Sequence, residues 1–170
     1  MSWKADKDAQ GYEIYQYKSK KWVKVATVKG NGTSKVINKL KSGTSYKFRI
    51  RGYKETEGET IYTKYKTLKV MTSPKKVKVT SCTSGNKTVS LKWNKVKGSG
   101  YEIQCSTSKK FKKNVKKVTA KKSKKSMTVK KLESGKTYYI RIRAYSKVNG
   151  TKYYGSWSKV KKVNLEKGKS

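Results

Sequence analysis

Leu132-Glu133-Ser134-Gly135-Lys136-Thr137-Tyr138-Tyr139-Ile140-Arg141-Ile142-Arg143-Ala144-Tyr145 has an earlier counterpart in Leu40-Lys41-Ser42-Gly43-Thr44-Ser45-Tyr46-Lys47-Phe48-Arg49-Ile50-Arg51-Gly52-Tyr53. From Tyr138 onward the apolar residues recur every second position. That is the period of a strand with one buried face, and it sends Tyr138, Ile140, Ile142 and Ala144 inward and Tyr139, Arg141, Arg143 and Tyr145 outward. A helix would need apolar residues three or four apart, so the pattern excludes one. The chain holds 46 Lys and Arg residues, but its four arginines, Arg49, Arg51, Arg141 and Arg143, all lie in these two segments. Arginine must supply something there that lysine cannot.

The echo extends beyond the two segments. Trp3 and Gly11-Tyr12-Glu13-Ile14 parallel Trp93 and Gly100-Tyr101-Glu102-Ile103. The offset is 90 residues at the tryptophan (93 minus 3) and 92 at Tyr46 and Tyr138 (138 minus 46), so two copies of one unit follow with small insertions. In the second copy, Lys76–Thr80, Thr88–Trp93, Tyr101–Ser106, Val115–Thr119, Met127–Lys131, Thr137–Tyr145 and Tyr153–Val163 read as strands. Ser84-Gly85-Asn86 and Lys97-Gly98-Ser99-Gly100 read as turns, and Asn149-Gly150 is a strong two-residue hairpin signal. Short alternating strands of this kind describe an all-β, antiparallel sandwich.

Charge separates the copies. Residues 1–73 hold 17 Lys/Arg against 6 Asp/Glu, and residues 74–170 hold 29 against 3, within a formal net charge of +37. No acidic residue occurs from Ile103 to Leu132, and the run Lys109–Lys131 has 12 lysines in 23 residues. Lysines on a two-faced sheet keep it soluble and its edges unpaired. The same field attracts polyanions, and Lys109, Lys110, Lys112, Lys113, Lys116, Lys117, Lys121, Lys122, Lys124 and Lys125 are the candidate contacts. Nucleic acid is the weaker ligand, since no recognition helix is visible, although exposed tyrosines could stack on bases or sugar rings.

Catalysis has little to work with. There is no histidine, and of nine carboxylates only Glu55, Glu57 and Glu59 cluster, at what reads as a hairpin tip. Cys82 and Cys105 are too few for a disulfide framework and, without histidine, for a zinc site; they read as free, partly buried thiols. No cofactor or metal is expected. No apolar run reaches the roughly 18 residues of a membrane span, and Met1-Ser2-Trp3-Lys4-Ala5-Asp6 introduces charge too early for a secretion signal.

The Trp93 strand, the Gly100-Tyr101-Glu102-Ile103 strand and Leu132-x-x-Gly135-x-x-Tyr138 together resemble the fibronectin type III domain, an immunoglobulin-like sandwich. The lysine richness and Arg143-Ala144-Tyr145-Ser146-Lys147-Val148-Asn149-Gly150 look like the domains repeated in surface proteins of Gram-positive anaerobes. The resemblance implies two tandem seven-stranded antiparallel sandwiches at residues 1–73 and 74–167, with 168–170 as a tail. It implies tyrosine corners at Tyr46 and Tyr138 and an extracellular, cell-surface or secreted location. The second copy has 18 residues, Lys75 to Lys92, between Pro74 and Trp93, whereas the first has only Met1-Ser2 before Trp3. The first copy is therefore expected to lack strand A and most of strand B. Either the chain belongs to a longer protein with other domains, the favoured reading, or it folds with an open sheet edge that invites strand exchange with another copy.

Tyr154-Gly155-Ser156-Trp157-Ser158 is similar to half of the Trp-Ser-x-Trp-Ser element that some fibronectin type III receptor domains stack against arginines. A planar guanidinium stacks on an aromatic face better than an ammonium does. Arg141 and Arg143 with Tyr154 and Trp157, and Arg49 and Arg51 with Tyr62 and Tyr65, are accordingly expected to form cation-π ladders. The function implied is a non-enzymatic spacer or adhesion module, held to anionic polymers such as teichoic acid or acidic glycans. The alternative is a dedicated acidic-glycan or nucleic-acid binding module.

Overall fold

The period-two segments form strands, and among the described residues no helix is present; the computed structural model describes residues 1–167. The tail at 168–170 lies outside the described residues. The chain divides into two compact units, Met1–Lys41 with Ser45–Thr72, and Ser42–Thr44 with the residues from Ser73 onward.

The first unit contains β1 (Gly11–Lys18), β2 (Lys21–Lys29), β3 (Ser45–Thr56), β4 (Glu59–Tyr62) and β5 (Lys66–Met71). They make one antiparallel sheet in the order β2-β1-β3-β4, with β5 also paired to β3. Ser19 and Lys20 join β1 to β2 with φ of 46° and 65°, the left-handed pair of a tight hairpin, here without glycine. Tyr12, Ile14 and Phe48 are buried on the inner face, and the Trp3 ring packs 5.3 Å from that of Tyr12. Opposite this face, the described residues form only the isolated bridge Ser2↔Ser34, flanked by bonds from Trp3 N to Thr33 O and from Lys35 N to Met1 O. Among the described residues no strand precedes β1 in this unit, in line with the expectation that strand A and most of strand B are absent.

The second unit is a two-sheet sandwich. It comprises β6 (Val79–Gly85), β7 (Thr88–Trp93), β8 (Gly100–Ser106), β9 (Lys116–Lys121), β10 (Ser126–Val129), β11 (Thr137–Val148), β12 (Thr151–Tyr154) and β13 (Lys161–Asn164). One sheet runs β10-β7-β6; the other runs β12-β11-β8-β9, with β13 also on β11. Val89, Leu91 and Val129 from the first sheet meet Ile103, Cys105, Ile140 and Ile142 from the second, all nearly inaccessible. Asn149 and Gly150 adopt φ of 48° and 82° between β11 and β12, as their hairpin signal requires.

Two strand assignments shift. The opening strand runs Val79–Gly85 rather than Lys76–Thr80, because its ladder follows β7 down to the turn that precedes Thr88, with a bulge between Val79 and Ser81. The last strand, read as continuous over Tyr153–Val163, is two pieces, β12 and β13. Between them Gly155 N donates to Ala144 O at 2.9 Å and Ser158 N to Ile142 O at 2.8 Å, so the chain leaves the regular ladder yet stays tied to β11. A side chain at Gly155 would meet Pro74 O at 2.6 Å, which reserves that bend for glycine.

Glycine also explains the repeated Gly-Tyr-Glu-Ile. Gly100 pairs with Tyr145 and Gly11 with Tyr53, and each tyrosine ring lies across its glycine. A Cβ on Gly100 would fall 2.6 Å from the Tyr145 hydroxyl and 2.9 Å from Ala120 O. Gly100→Ala is predicted to destabilise the second unit by about 1–3 kcal/mol, since the backbone oxygen cannot move aside as a side chain can. Denaturant unfolding of the variant would measure it, and unchanged stability would show that the ring and carbonyl yield.

Candidate functional site

The outward residues of β3 and β11 carry the arginines, and each unit stacks its pair between rings. In the second unit the Arg141 guanidinium lies 4.0 Å from the Phe111 ring and 4.2 Å from that of Trp157. Arg143 lies 4.2 Å from Trp157 and 3.6 Å from Tyr154, so Phe111, Arg141, Trp157, Arg143 and Tyr154 alternate in one column. In the first unit Arg49 sits 4.5 Å from Trp22 and 3.8 Å from Tyr65, and Arg51 sits 4.9 Å from Tyr65 and 3.4 Å from Tyr62. Phe111 and Trp22 close the far ends of these columns and were not singled out from the sequence. Trp22 comes from β2, where it pairs with Tyr17; Phe111 comes from the loop before β9 and carries a left-handed φ of 54°. Only the inward-outward alternation of the neighbouring strand could have pointed to Trp22, and nothing local points to Phe111.

The carboxylates beneath the columns were also missed. Glu13 faces Arg51 and Glu102 faces Arg143 in the strand registers, and both are more than nine-tenths buried. Arg143 Nη2 reaches Glu102 Oε1 at 3.0 Å, while Arg141 donates from Nε and Nη2 to Gln104 Oε1 at 3.0 and 2.7 Å. Glu13 accepts from Lys24 Nζ at 2.9 Å, from Arg51 Nε at 2.9 Å and from the Tyr15 hydroxyl at 2.7 Å. Burial opposes the charge on Glu13, but the bonds from Lys24, Tyr15 and Arg51 outweigh it and hold the carboxyl at about 2. Burial and the Glu13 bond push the Tyr15 phenol up to about 12. These arginines are occupied on their faces by rings, and Arg51, Arg141 and Arg143 also on their edges by acceptors, whereas Arg49 Nε is buried without one among the described residues.

Tyr138 and Tyr46 bind the chain upstream of their own strands: the Tyr138 hydroxyl accepts from Glu133 N at 3.0 Å and that of Tyr46 from Lys41 N at 2.7 Å. Each closes a corner five residues wide. Cys82 and Cys105 are free, and burial in the sandwich pushes the Cys105 thiol up to about 12, which leaves it a poor nucleophile. Glu55, Glu57 and Glu59 lie exposed around the β3–β4 turn. Among the described residues no three His, Cys, Asp or Glu side chains converge as a metal site.

The lysine run is placed differently. Lys109, Lys110, Lys112 and Lys113 sit in the loop before β9, Lys116, Lys117 and Lys121 in β9, and Lys122, Lys124 and Lys125 in the turn before β10. All are exposed except Lys116, whose Nζ donates to Lys130 O at 2.5 Å. Among the described residues the ion pairs are Lys24–Glu13, Arg51–Glu13 and Arg143–Glu102, and none uses this run.

The sequence profile of the fibronectin type III domain matches residues 72–160, just over half of the 170. The chain belongs to the fibronectin type III family. A two-domain fibronectin type III segment of chicken tenascin aligns over 95% of this chain and 87% of its own at 18% identity and a TM-score of 0.51, a likeness of fold. The FN1–FN3 domains of chicken CNTN1 align over 92% of this chain and 54% of theirs at 17% identity and a TM-score of 0.48. A Kelch domain-containing protein of Sulfurisphaera tokodaii (strain DSM 16993 / JCM 10545 / NBRC 100140 / 7) is 39% identical over 88 residues, 50% of this chain but only 12% of that protein.

Within the fibronectin type III frame the stacked arginines make two predictions. Arg141→Lys, which loses one of its two bonds to Gln104 and a guanidinium plane between two rings, is expected to lower stability by about 1–2 kcal/mol in denaturant titrations. Glu13, held near 2 against an ordinary 4.5, contributes stability that is whole above pH 4.5 and is lost as pH falls from 4.5 toward 2. The full loss is at most about 3 kcal/mol for this nearly buried carboxyl. Comparing the acid limb of unfolding with that of Glu13→Gln should show the dependence in the parent and a flatter limb in the variant.

Proposed function

We propose that the chain is a non-enzymatic spacer and adhesion module of an extracellular or cell-surface protein, held to anionic polymers such as teichoic acid or acidic glycans by its lysine-rich surface. The observation that carries this reading is the contrast between its two kinds of cation. Arg51, Arg143 and Lys24 are paired to carboxylates, whereas the ten lysines from Lys109 to Lys125 stand around a loop, an edge strand and a turn with no acidic residue from Ile103 to Leu132. Uncompensated charge on an exposed edge acts over a Debye length, about 8–10 Å at physiological salt, and suits a flexible polyanion better than a shaped ligand. Fibronectin type III sandwiches arranged in tandem give such charge a spacing, and further domains of a larger protein would use it. Other copies of this chain are a further partner, through strand exchange at the first unit's open edge.

The test is retention on immobilised heparin and teichoic acid against rising salt. Retention should exceed that of a charge-matched control protein, fall steeply with salt, and weaken about tenfold in the fourfold variant K121S/K122S/K124S/K125S with no loss of melting temperature. Retention equal to the control would overturn the binding half of the proposal.

A further inference from the structure

On the outer face of the first unit's sheet Arg51 and Lys24 share the one carboxylate of Glu13. At the hairpin end of the sheet, beside β1 and β2, lies an open cleft of ≈ 510 Å³ lined, among the described residues, by Lys18, Lys47 and Lys69 and by no carboxylate. Lys47 and Lys69 are direct cross-strand partners between β3 and β5, an arrangement of like charges that destabilises a sheet. Lys47 is not free to swing away: its Nζ stands 5.6 Å from the ring centres of both Tyr17 and Trp22, which pack edge to face at 5.2 Å.

We propose that this cleft is a binding subsite for an acidic sugar, a uronate or sulfated residue of a polysaccharide. The ammonium groups answer the anion. Tyr17, Ser19 and Ser45 line the same cleft with hydroxyls that match those of a sugar ring. A bare phosphate chain would use the charge alone. Nucleic acid would need an unobstructed ring face for stacking, and the Tyr17 ring already has Trp22 at its side and Lys47 above it. The cleft has no counterpart in the second unit, where Ser106 and Tyr139 occupy the repeat positions of Tyr17 and Lys47. The site is thus independent of the lysine run at Lys109–Lys125.

Titrating the full chain with tetragalacturonate, inorganic polyphosphate and oligothymidylate of matched charge, followed by backbone amide resonances, tests the proposal. Tetragalacturonate should move Ser19, Ser45 and Lys47 and bind at least fivefold tighter than either phosphate polymer. Lys69→Gln should weaken that binding about fivefold or more while leaving the melting temperature unchanged or higher, because it removes a like-charge pair. K121S/K122S/K124S/K125S should leave it intact even if heparin retention is lost. Unchanged affinity in Lys69→Gln, equal affinity for polyphosphate or oligothymidylate, or loss in the fourfold variant would each overturn it.

Discussion

One cross-strand register, β8 against β11, fixes most of the second unit. With Gly100 opposite Tyr145, Ile103 opposite Ile142 and Glu102 opposite Arg143, the inward set closes the core while the outward set brings charge to charge. A slip of one residue would turn Ile140 and Ile142 to solvent and bury Arg141 and Arg143 in the core, so no neighbouring register competes. The first unit repeats the device between β1 and β3, with Gly11 opposite Tyr53 and Glu13 opposite Arg51. There the register matters more, because a single bridge is all that the described residues form on the other side of its core.

The same register decides where the protein uses arginine. A buried glutamate on a sheet face needs several donors at once, and stacked rings leave only the edge of a cation free to supply them. A guanidinium satisfies both demands: Arg51 gives Nε to Glu13 and keeps its face on Tyr62. Lysine carries the rest of the surface charge, with Lys24 adding a single donor to Glu13. The four arginines are thereby structural cations, and the surface charge available to a partner belongs to lysine.

Much of this could be read from the chain alone. Alternation in Tyr138–Ala144, the 90-residue repeat and the Asn149-Gly150 turn lead to the all-β tandem, because each rests on local backbone geometry. Tyr154 and Trp157 are within reach of the arginines by following the next strand. Glu102 and Glu13 escape such reading because a glutamate in an apolar strand carries no mark of its partner until the register is known. The break at Gly155 is equally silent: only the approach of Pro74, far back in the sequence, requires it. The cleft at Lys47 and Lys69 depends on a third pairing, β3 with β5, and on a left-handed hairpin at Ser19-Lys20 that carries no glycine signal.

The two arginine columns end differently, and the difference bears on presentation. In the first unit the end ring, Trp22, is a strand residue that would be ordered in any case. In the second, Phe111 leaves a nine-residue connection between β8 and β9 to reach Arg141, and holds a left-handed backbone to do so. That conformation costs a bulky residue about 1–2 kcal/mol, so it persists only because contacts outweigh it. The stack on Arg141 is one; the bonds from Ser106 Oγ to Lys113 O at 2.6 Å and from Phe111 N to Ser108 O at 2.9 Å are others. A loop pinned at its middle and both ends carries Lys109, Lys110, Lys112 and Lys113 on an ordered backbone. The backbone entropy that a mobile cationic loop would lose on meeting a polymer is then already spent in folding, and the aromatic column contributes to surface charge chemistry it never touches.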